Sequence, residues 1–480
     1  MRYLDGDIQR MRKGLYIAAD AVSSTLGPEG MNVFISEQFS PRITNDGARI
    51  ANSLNLRDAM ENAGAYIVKS ASAKQNDDAG DGTTTAVLFL KKILEESGKI
   101  ENQSAAKLRA DLTAEATRAV ALLEIRAKKI KTNEVKDVAL AAGEYEDVAE
   151  LIAEAYKKLG GDAFITVEDS KDDSSHLETL RGYEVKNGYL SPYFITDQNL
   201  ARAVIEDCVV AVFNKKIGNI NHLTRVLEIL KASEVNRLAL FVDEIDDKVL
   251  SFLIGNKLKG NIEVCVVRPL PAELDDIAGV TGAVIIGQSG VEFHTVSKEH
   301  LGHAEKIIID NKNTLILTDA LKANSQASKI LAAAKNEDNV FLRDRLEQRA
   351  ARLRGEIAIL KIGAANDMAR EHKKDKADDA IHSVRNALEG GVVEGAGRAW
   401  AKVAEELKKT KGENETARGI IVDAILRPSE ILGDSSGDKV RDAFLVEKHA
   451  LLNAVEAAGI FLTTKYAIIE EPSEKDNPQN

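Results

Sequence analysis

The sequence predicts a multidomain α+β protein, with two helix-rich ends that pack together as one domain and an α/β segment inserted between them. Three observations lead there. The chain has 480 residues, more than one hydrophobic core ordinarily serves. Helical apolar spacing fills most of the first 125 residues and returns after residue 376. Between Gly182 and Leu317, short β-branched runs alternate with helical segments, the texture of a buried parallel or mixed sheet.

In chain order, Ile8, Met11, Leu15, Ala18, Ala19, Val22 and Leu26 predict a helix over 7–26, stopped by Gly27-Pro28-Glu29-Gly30. A short strand is expected at 32–35, then a strand and turn at 43–47. Helices follow at 58–76, 83–98, 105–128 and 134–158, the last ending at Gly160-Gly161, and a strand at 163–167. The middle segment carries strands at 209–213, 238–242, 264–267 and 284–286, with helices at 219–232 and 246–259 between them. A charged helix at 340–355 and a strand at 357–360 precede Ala-rich helices at 376–388 and 391–410. Helices at 416–432 and 440–460, joined by a hydrophilic connection, lead to a polar tail at 470–480 that is expected to be disordered.

Composition narrows the function classes. The formal net charge of −12 gives no global basic field to attract nucleic acid or an anionic membrane. The N-terminus lacks a secretory apolar core, and no apolar stretch is long enough to span a bilayer, so a cytoplasmic protein is expected. Cys208 and Cys265 fall inside apolar strand-like runs and read as reduced core residues.

The stretch most loaded with chemistry is Asp77-Asp78-Ala79-Gly80-Asp81-Gly82-Thr83-Thr84-Thr85, directly before the apolar run Ala86–Leu90. It is a loop feeding a helix. Free amides and the helix dipole at such a start favour an anion, glycines admit a ligand close to the backbone, and a neighbouring carboxylate suits Mg²⁺ beside phosphate. It is not a Walker loop, because no Gly-Lys-Ser/Thr follows. Taken alone, the stretch is better read as a solvated, capped helix start.

Seven strings in order make the chain resemble the group I (GroEL-like) chaperonins almost end to end. They are Thr25–Gly30, Thr44–Gly47, the loop through Thr85, Ile165–Asp169, Gly188–Phe194, Asp378–His382 and Gly391–Gly397. The resemblance implies a helical equatorial ATPase domain (1–124 and 390–480), a small intermediate hinge domain (125–181 and 357–389) and an α/β apical substrate-binding domain (182–356). It implies an ATP-dependent chaperone, with ATP and Mg²⁺ as cofactors. The implied partners are other copies of the chain in a heptamer-like single or double ring, non-native polypeptide clients and a co-chaperonin lid.

Residue by residue, the resemblance makes Asp81 the Mg²⁺ ligand and wraps the phosphates with Gly82, Thr83, Thr84 and Thr85. Thr25, Leu26, Gly27 and Pro28 close the other side, and Asp46 and Asp379 are the hydrolytic acids. Asn45 and Ala396 stand at nucleotide positions where the family usually has lysine and glycine. Gly395, Leu140 and Asp442 match a backbone contact, an adenine contact and the ribose acid. Client binding falls to Tyr189, Tyr193, Phe194, Leu227, Leu250 and Ile254, and hinges to Gly182 and Gly355. Thr224 and Gly255 replace apolar client contacts, Glu356 replaces a second hinge glycine, and residues 433–441 replace a long family excursion, which implies a shallower adenine pocket. Two alternatives stay open: a holdase or scaffold with weak or no ATPase activity, and a group II chaperonin with a built-in lid.

Overall fold

The structure is a computed structural model that describes residues 2–27, 30–36, 42–100, 103–161, 163–198, 200–288, 290–317, 320–335, 340–353, 355–410, 412, 414–433 and 440–470. It divides into two compact units, 1–177 with 360–480, and 178–359. The polar tail beyond residue 470 and most of the connection after Gly433 lie outside the described residues.

The first unit draws on both ends of the chain. Strand Arg2–Asp5 pairs antiparallel with Ala467–Glu470, Arg2 opposite Glu470. Helix Ile8–Ser23 starts at Asp7, whose carboxylate accepts from the amides of Gln9 and Arg10. It crosses helix Ala59–Ala79 at glycines on both sides: a Cβ on Gly14 would lie 1.8 Å from the Glu61 carbonyl oxygen, and one on Gly64 1.8 Å from that of Met11. Helices Thr83–Ser97, Ala105–Glu124, Arg398–Lys409, Glu415–Leu432 and Phe444–Thr463 complete the core. In it Phe89 and Trp400 meet edge to face at 6.0 Å. Arg418 and Glu115, both buried, pair at 3.0 Å between two of these helices; removing either partner would strand a buried charge.

Several expected elements differ; the helix expected at 376–388, for one, runs Asp367–Gly390, and three more changes bear on how the unit is built. The turn expected at 45–47 is a helix start, because Asp46 caps helix Gly47–Ser53 by accepting from the amides of Ala48 (2.8 Å) and Arg49 (3.4 Å). The helix expected over 134–158 is two, Lys136–Gly143 and Glu146–Leu159, broken where Glu144 turns to φ +62°. The helix expected from 391 begins at Arg398, because Val392–Glu394 pairs as a strand with Arg441–Ala443.

The second unit is built on a mixed sheet, within the reading made from the sequence. Ala203–Phe213, Arg237–Val242 and Glu263–Val267 run parallel, with Ile285–Ile286 parallel to the first. Gly302–Ile309 pairs antiparallel with Ala203–Phe213 on one side and with Thr314–Leu317 on the other, and Thr314–Leu317 pairs antiparallel with the strand that ends at Val185. Helices Thr224–Ala232 and Asp247–Leu258 connect the parallel strands, and Pro271–Thr281, Ala320–Lys335 and Val340–Leu353 follow. A buried carboxylate links these later elements: Asp276 accepts from Tyr183 Oη at 3.1 Å and from Arg349 Nη2 at 2.8 Å. Cys208 and Cys265 are free and buried. Desolvation pushes the Cys208 thiol up to about 12, so both are core residues, as expected.

Candidate functional site

Helix Ala59–Ala79 ends at Gly80, φ +69°, and helix Thr83–Ser97 begins at Gly82, φ +78°. Those two left-handed glycines turn the chain around Asp81, and neither admits a side chain. A Cβ on Gly80 would lie 2.4 Å from the His382 ring, and one on Gly82 2.6 Å from Val446 Cγ1. No side chain caps the second helix. The capped-start alternative therefore fails, and the helix keeps its anion-favouring amides.

The loop is held from behind. Gln75, buried, donates from Nε2 to the Asp81 carbonyl at 2.7 Å and to the Val446 carbonyl at 3.2 Å, and receives a hydrogen bond from Asn453 Nδ2 at 3.0 Å. The Asp81 carboxylate accepts from the Gly82 amide at 2.5 Å.

In front of the loop lies a cleft of about 630 Å³. Thr25, Leu26, Gly27 and Asn45 line it, with Thr25 Oγ1 and Thr84 Oγ1 3.1 Å apart. Asp46, Asp81, Gly82, Thr83, Thr84, Thr85 and Asp379 line the same space, and Leu140, Ala396 and Asp442 line it too. The cleft thus gathers the nucleotide and hydrolytic positions named from the sequence, with two exceptions. Pro28 lies outside the described residues. Gly395 is a correction: it does not line the cleft but backs its wall, where a Cβ would lie 2.6 Å from Val440 Cγ1 and 2.8 Å from Asp442 Oδ1. Ala396 beside it holds φ +57° and donates its amide to Asp442 Oδ2 at 3.1 Å.

Charge in the cleft is one-sided. Asp46, Asp81, Glu144, Asp379, Asp442 and Glu447 line it, against Lys376 and Arg441. Desolvation lifts Asp379 well above the carboxylate range, reinforced by Asp81 and Asp46 and opposed by Lys376. Asp81 is raised by the same burial, opposed by the Gly82 amide, Ser383 and Lys376. Desolvation and Asp81 push Asp442 up to about 6. Desolvation and Asp442 push Glu447 up to about 8, although Trp400 Nε1 donates to it. Such a site gains from a bound cation. Among the described residues no group of three or more His, Cys, Asp or Glu is arranged to hold a metal alone. The residues fit Mg²⁺ held by one or two carboxylates with phosphate oxygens and water making up the shell.

Sequence reasoning missed Lys376, Glu144, Glu447 and Gln75. Only Lys376 had a local signal, lying three residues before Asp379 and so on the same helix face.

In the second unit, Tyr193 is 63% exposed, while Tyr189, Leu227, Leu250 and Ile254 are half-buried against the core. Phe194 is a correction: at 0% exposure it is a core residue, and its ring cannot touch a client in this conformation. Phe252 and Leu258, not named from the sequence, stand exposed on the same helix as Leu250 and Ile254. Lys257 Nζ ties that helix to the neighbouring turn, donating to the Tyr193 and Ile195 carbonyls at 2.9 Å each. Gly182 sits in a strand opposite Leu317, where a Cβ would meet Leu315 Cδ1 at 3.0 Å, so close packing explains its glycine. Gly355 donates its amide to Arg352 just before strand Glu356–Ile362.

A model of the TCP-1/cpn60 chaperonin family matches residues 18–240 and 221–465. The chain belongs to that family. Its fold is similar to that of the chaperonin gp146 from the bacteriophage EL 2 (Pseudomonas aeruginosa), determined in the presence of ATP-BeFx in two crystal forms. One form matches with a TM-score of 0.66 at 17% identity, covering 98% of this chain and all of that one. The other matches with a TM-score of 0.60 at 18% identity, covering 98% and 99%. No helix among the described residues is long and apolar enough to cross a membrane.

Proposed function

We propose that this chain is an ATP-driven chaperone whose hydrolysis is coupled to domain closure. The observation that carries the reading is the cleft itself. It sets Asp81 and an uncapped helix start beside Asp46 and Asp379, which come from distant parts of the sequence. In this reading the amides of Gly82–Thr85 and the threonine hydroxyls bind the phosphates, and Leu140 and Asp442 receive the base and ribose. Mg²⁺, held by Asp81 and phosphate oxygens, supplies charge neutralisation. Asp46 and Asp379 orient the attacking water, and Asp379, raised in pKa, is suited to take its proton.

The division into equatorial (1–124, 390–480), intermediate (125–181, 357–389) and apical (182–356) parts belongs to the same proposal. So does a swivel near Gly182 and Gly355, which would carry the apolar surface around Tyr193 and Phe252 to non-native polypeptides. A ring of copies, and a lid protein competing for that surface, complete it. The gp146 protein, determined with an ATP analogue, supports nucleotide use by a protein of this fold. ATP turnover by the purified protein, with Asp379→Ala as control, tests the reading. Mg²⁺-dependent hydrolysis lost in the variant is expected, and none in the parent would leave a passive holdase.

A further inference from the structure

Lys376 and Arg441 are the two cations among the described residues that line the cleft. Arg441 also lines a separate groove of about 250 Å³ beside Lys402. Lys376 is placed differently. Its side chain is 12% exposed, and its charge acts on both Asp81 and Asp379, the carboxylates at the phosphate end. Burial pulls its own pKa down, but Asp379, Glu144 and Asp81 outweigh that and keep it an ammonium.

Its direct partner is Glu144, with Nζ 2.8 Å from Oε1. Glu144 is 44% exposed, so this is a half-open pair and not a sealed one. Glu144 occupies the left-handed break between helices Lys136–Gly143 and Glu146–Leu159, a strained conformation for a residue with a Cβ. Its amide closes the first of these helices on the Leu140 carbonyl at 3.0 Å. One helix end therefore presents Leu140 to the cleft and, a turn later, Glu144 to Lys376.

We propose that Lys376 is a phosphate-binding cation of this cleft, held in waiting by Glu144, and that the polyphosphate of a nucleotide competes with Glu144 for the same ammonium. Without it, a polyanion would enter a space walled by carboxylates. With it, phosphates find a buried, preformed positive charge one helical turn from Asp379. Release of Glu144 then frees the break between the two helices when nucleotide arrives. The inference rests on the nucleotide reading above.

Calorimetric titration of the full chain with Mg·ADP tests it, using the parent, Lys376→Met, Lys376→Arg, Glu144→Gln and the Lys376→Met/Glu144→Gln double variant. Loss of a charge-assisted contact predicts about tenfold weaker binding for Lys376→Met, with Lys376→Arg close to the parent. Glu144→Gln removes the competitor and should bind severalfold tighter than the parent, a gain that no folding defect imitates. The double variant should match Lys376→Met. Unchanged binding in Lys376→Met overturns the proposal, as does Glu144→Gln weakening in parallel with it, which would make the pair a strut. No binding by the parent overturns the nucleotide reading itself, and this inference with it.

Discussion

Gln75 donates its side-chain amide to the backbone carbonyl of Asp81 at 2.7 Å, and Asn453 donates in turn to Gln75 at 3.0 Å. A buried relay thus anchors the Asp81 loop to the C-terminal helix, although the two amides are far apart in sequence. Gln75→Ala leaves the Asp81 and Val446 carbonyls and Asn453 short of partners. It should cost about 1–3 kcal/mol in urea unfolding and raise the Mg²⁺ concentration needed for turnover more than it lowers maximal turnover. In a double-mutant cycle, Asn453→Ala added to Gln75→Ala should cost less than the sum of the single changes.

Asp46 has two tasks that different substitutions separate. Its carboxylate caps helix Gly47–Ser53 and also lines the cleft. Asparagine caps as well as aspartate, so Asp46→Asn should keep stability yet lose most ATP turnover. Asp46→Ala should lose turnover and about 1 kcal/mol of stability. Equal stability of the two variants would refute the capping role.

Ala396 carries a Cβ at φ +57°. Glycine relieves about 1–2 kcal/mol of strain there and gives back roughly 0.5–1 kcal/mol in unfolded-state entropy. Ala396→Gly should therefore raise the urea midpoint modestly, by no more than about 1.5 kcal/mol in stability. A fall would show that the methyl group packs usefully.

The folded-state pKa of Glu447, about 8, lies above its ordinary 4.5 because of desolvation first and Asp442 second. Between those values the folded protein binds more protons than the unfolded chain, so this contribution weakens stability as pH rises through the window and is harmless below it. The nucleotide-free protein should melt at a lower temperature at pH 8 than at pH 5. Glu447→Gln should flatten that dependence. Trp400, the one tryptophan in the sequence, donates to Glu447, so its fluorescence should titrate over the same range and stop doing so in the variant.

Tyr193 and Phe194 are neighbours with opposite fates. Phe194→Ala should cost about 3–5 kcal/mol of stability, as expected of a buried ring. Tyr193→Ser and Phe252→Ser should leave melting nearly unchanged while reducing suppression of aggregation of a denatured test protein. Equal effects from all three would contradict the exposed-surface reading.

The long helices were legible from apolar periodicity; Asp7 marks a start that the spacing had located, while helix Ala59–Ala79 runs past the expected residue 76 to the left-handed Gly80. The break at Glu144 was not: Gly143 stands directly before it, but the left-handed turn falls on Glu144, a residue whose Cβ gives no local sign of it. Phe194 was placed on a surface because an apolar residue in a Tyr-rich string carries no local sign of which way it faces. The loop around Asp81 could be seen, and so could its fitness for an anion, but not whether it holds one or only starts a capped helix. Asp46, Asp379 and Asp442 became a site only through resemblance. Gln75 reaches Val446 and Asn453 across more than 370 residues, which spacing cannot reveal, and Lys376 showed only its place three residues before Asp379.

The strand at residues 2–5 finds its partner only at 467–470, whereas the unit 178–359 is continuous in sequence. During synthesis the inserted unit can close its core while the ribosome is still working. The opening helices must wait, apolar faces uncovered, for roughly ten to forty seconds of elongation through the insertion before the C-terminal helices begin to arrive. This chaperonin chain thus leaves its own opening segment, residues 1–177, exposed the longest while it is made.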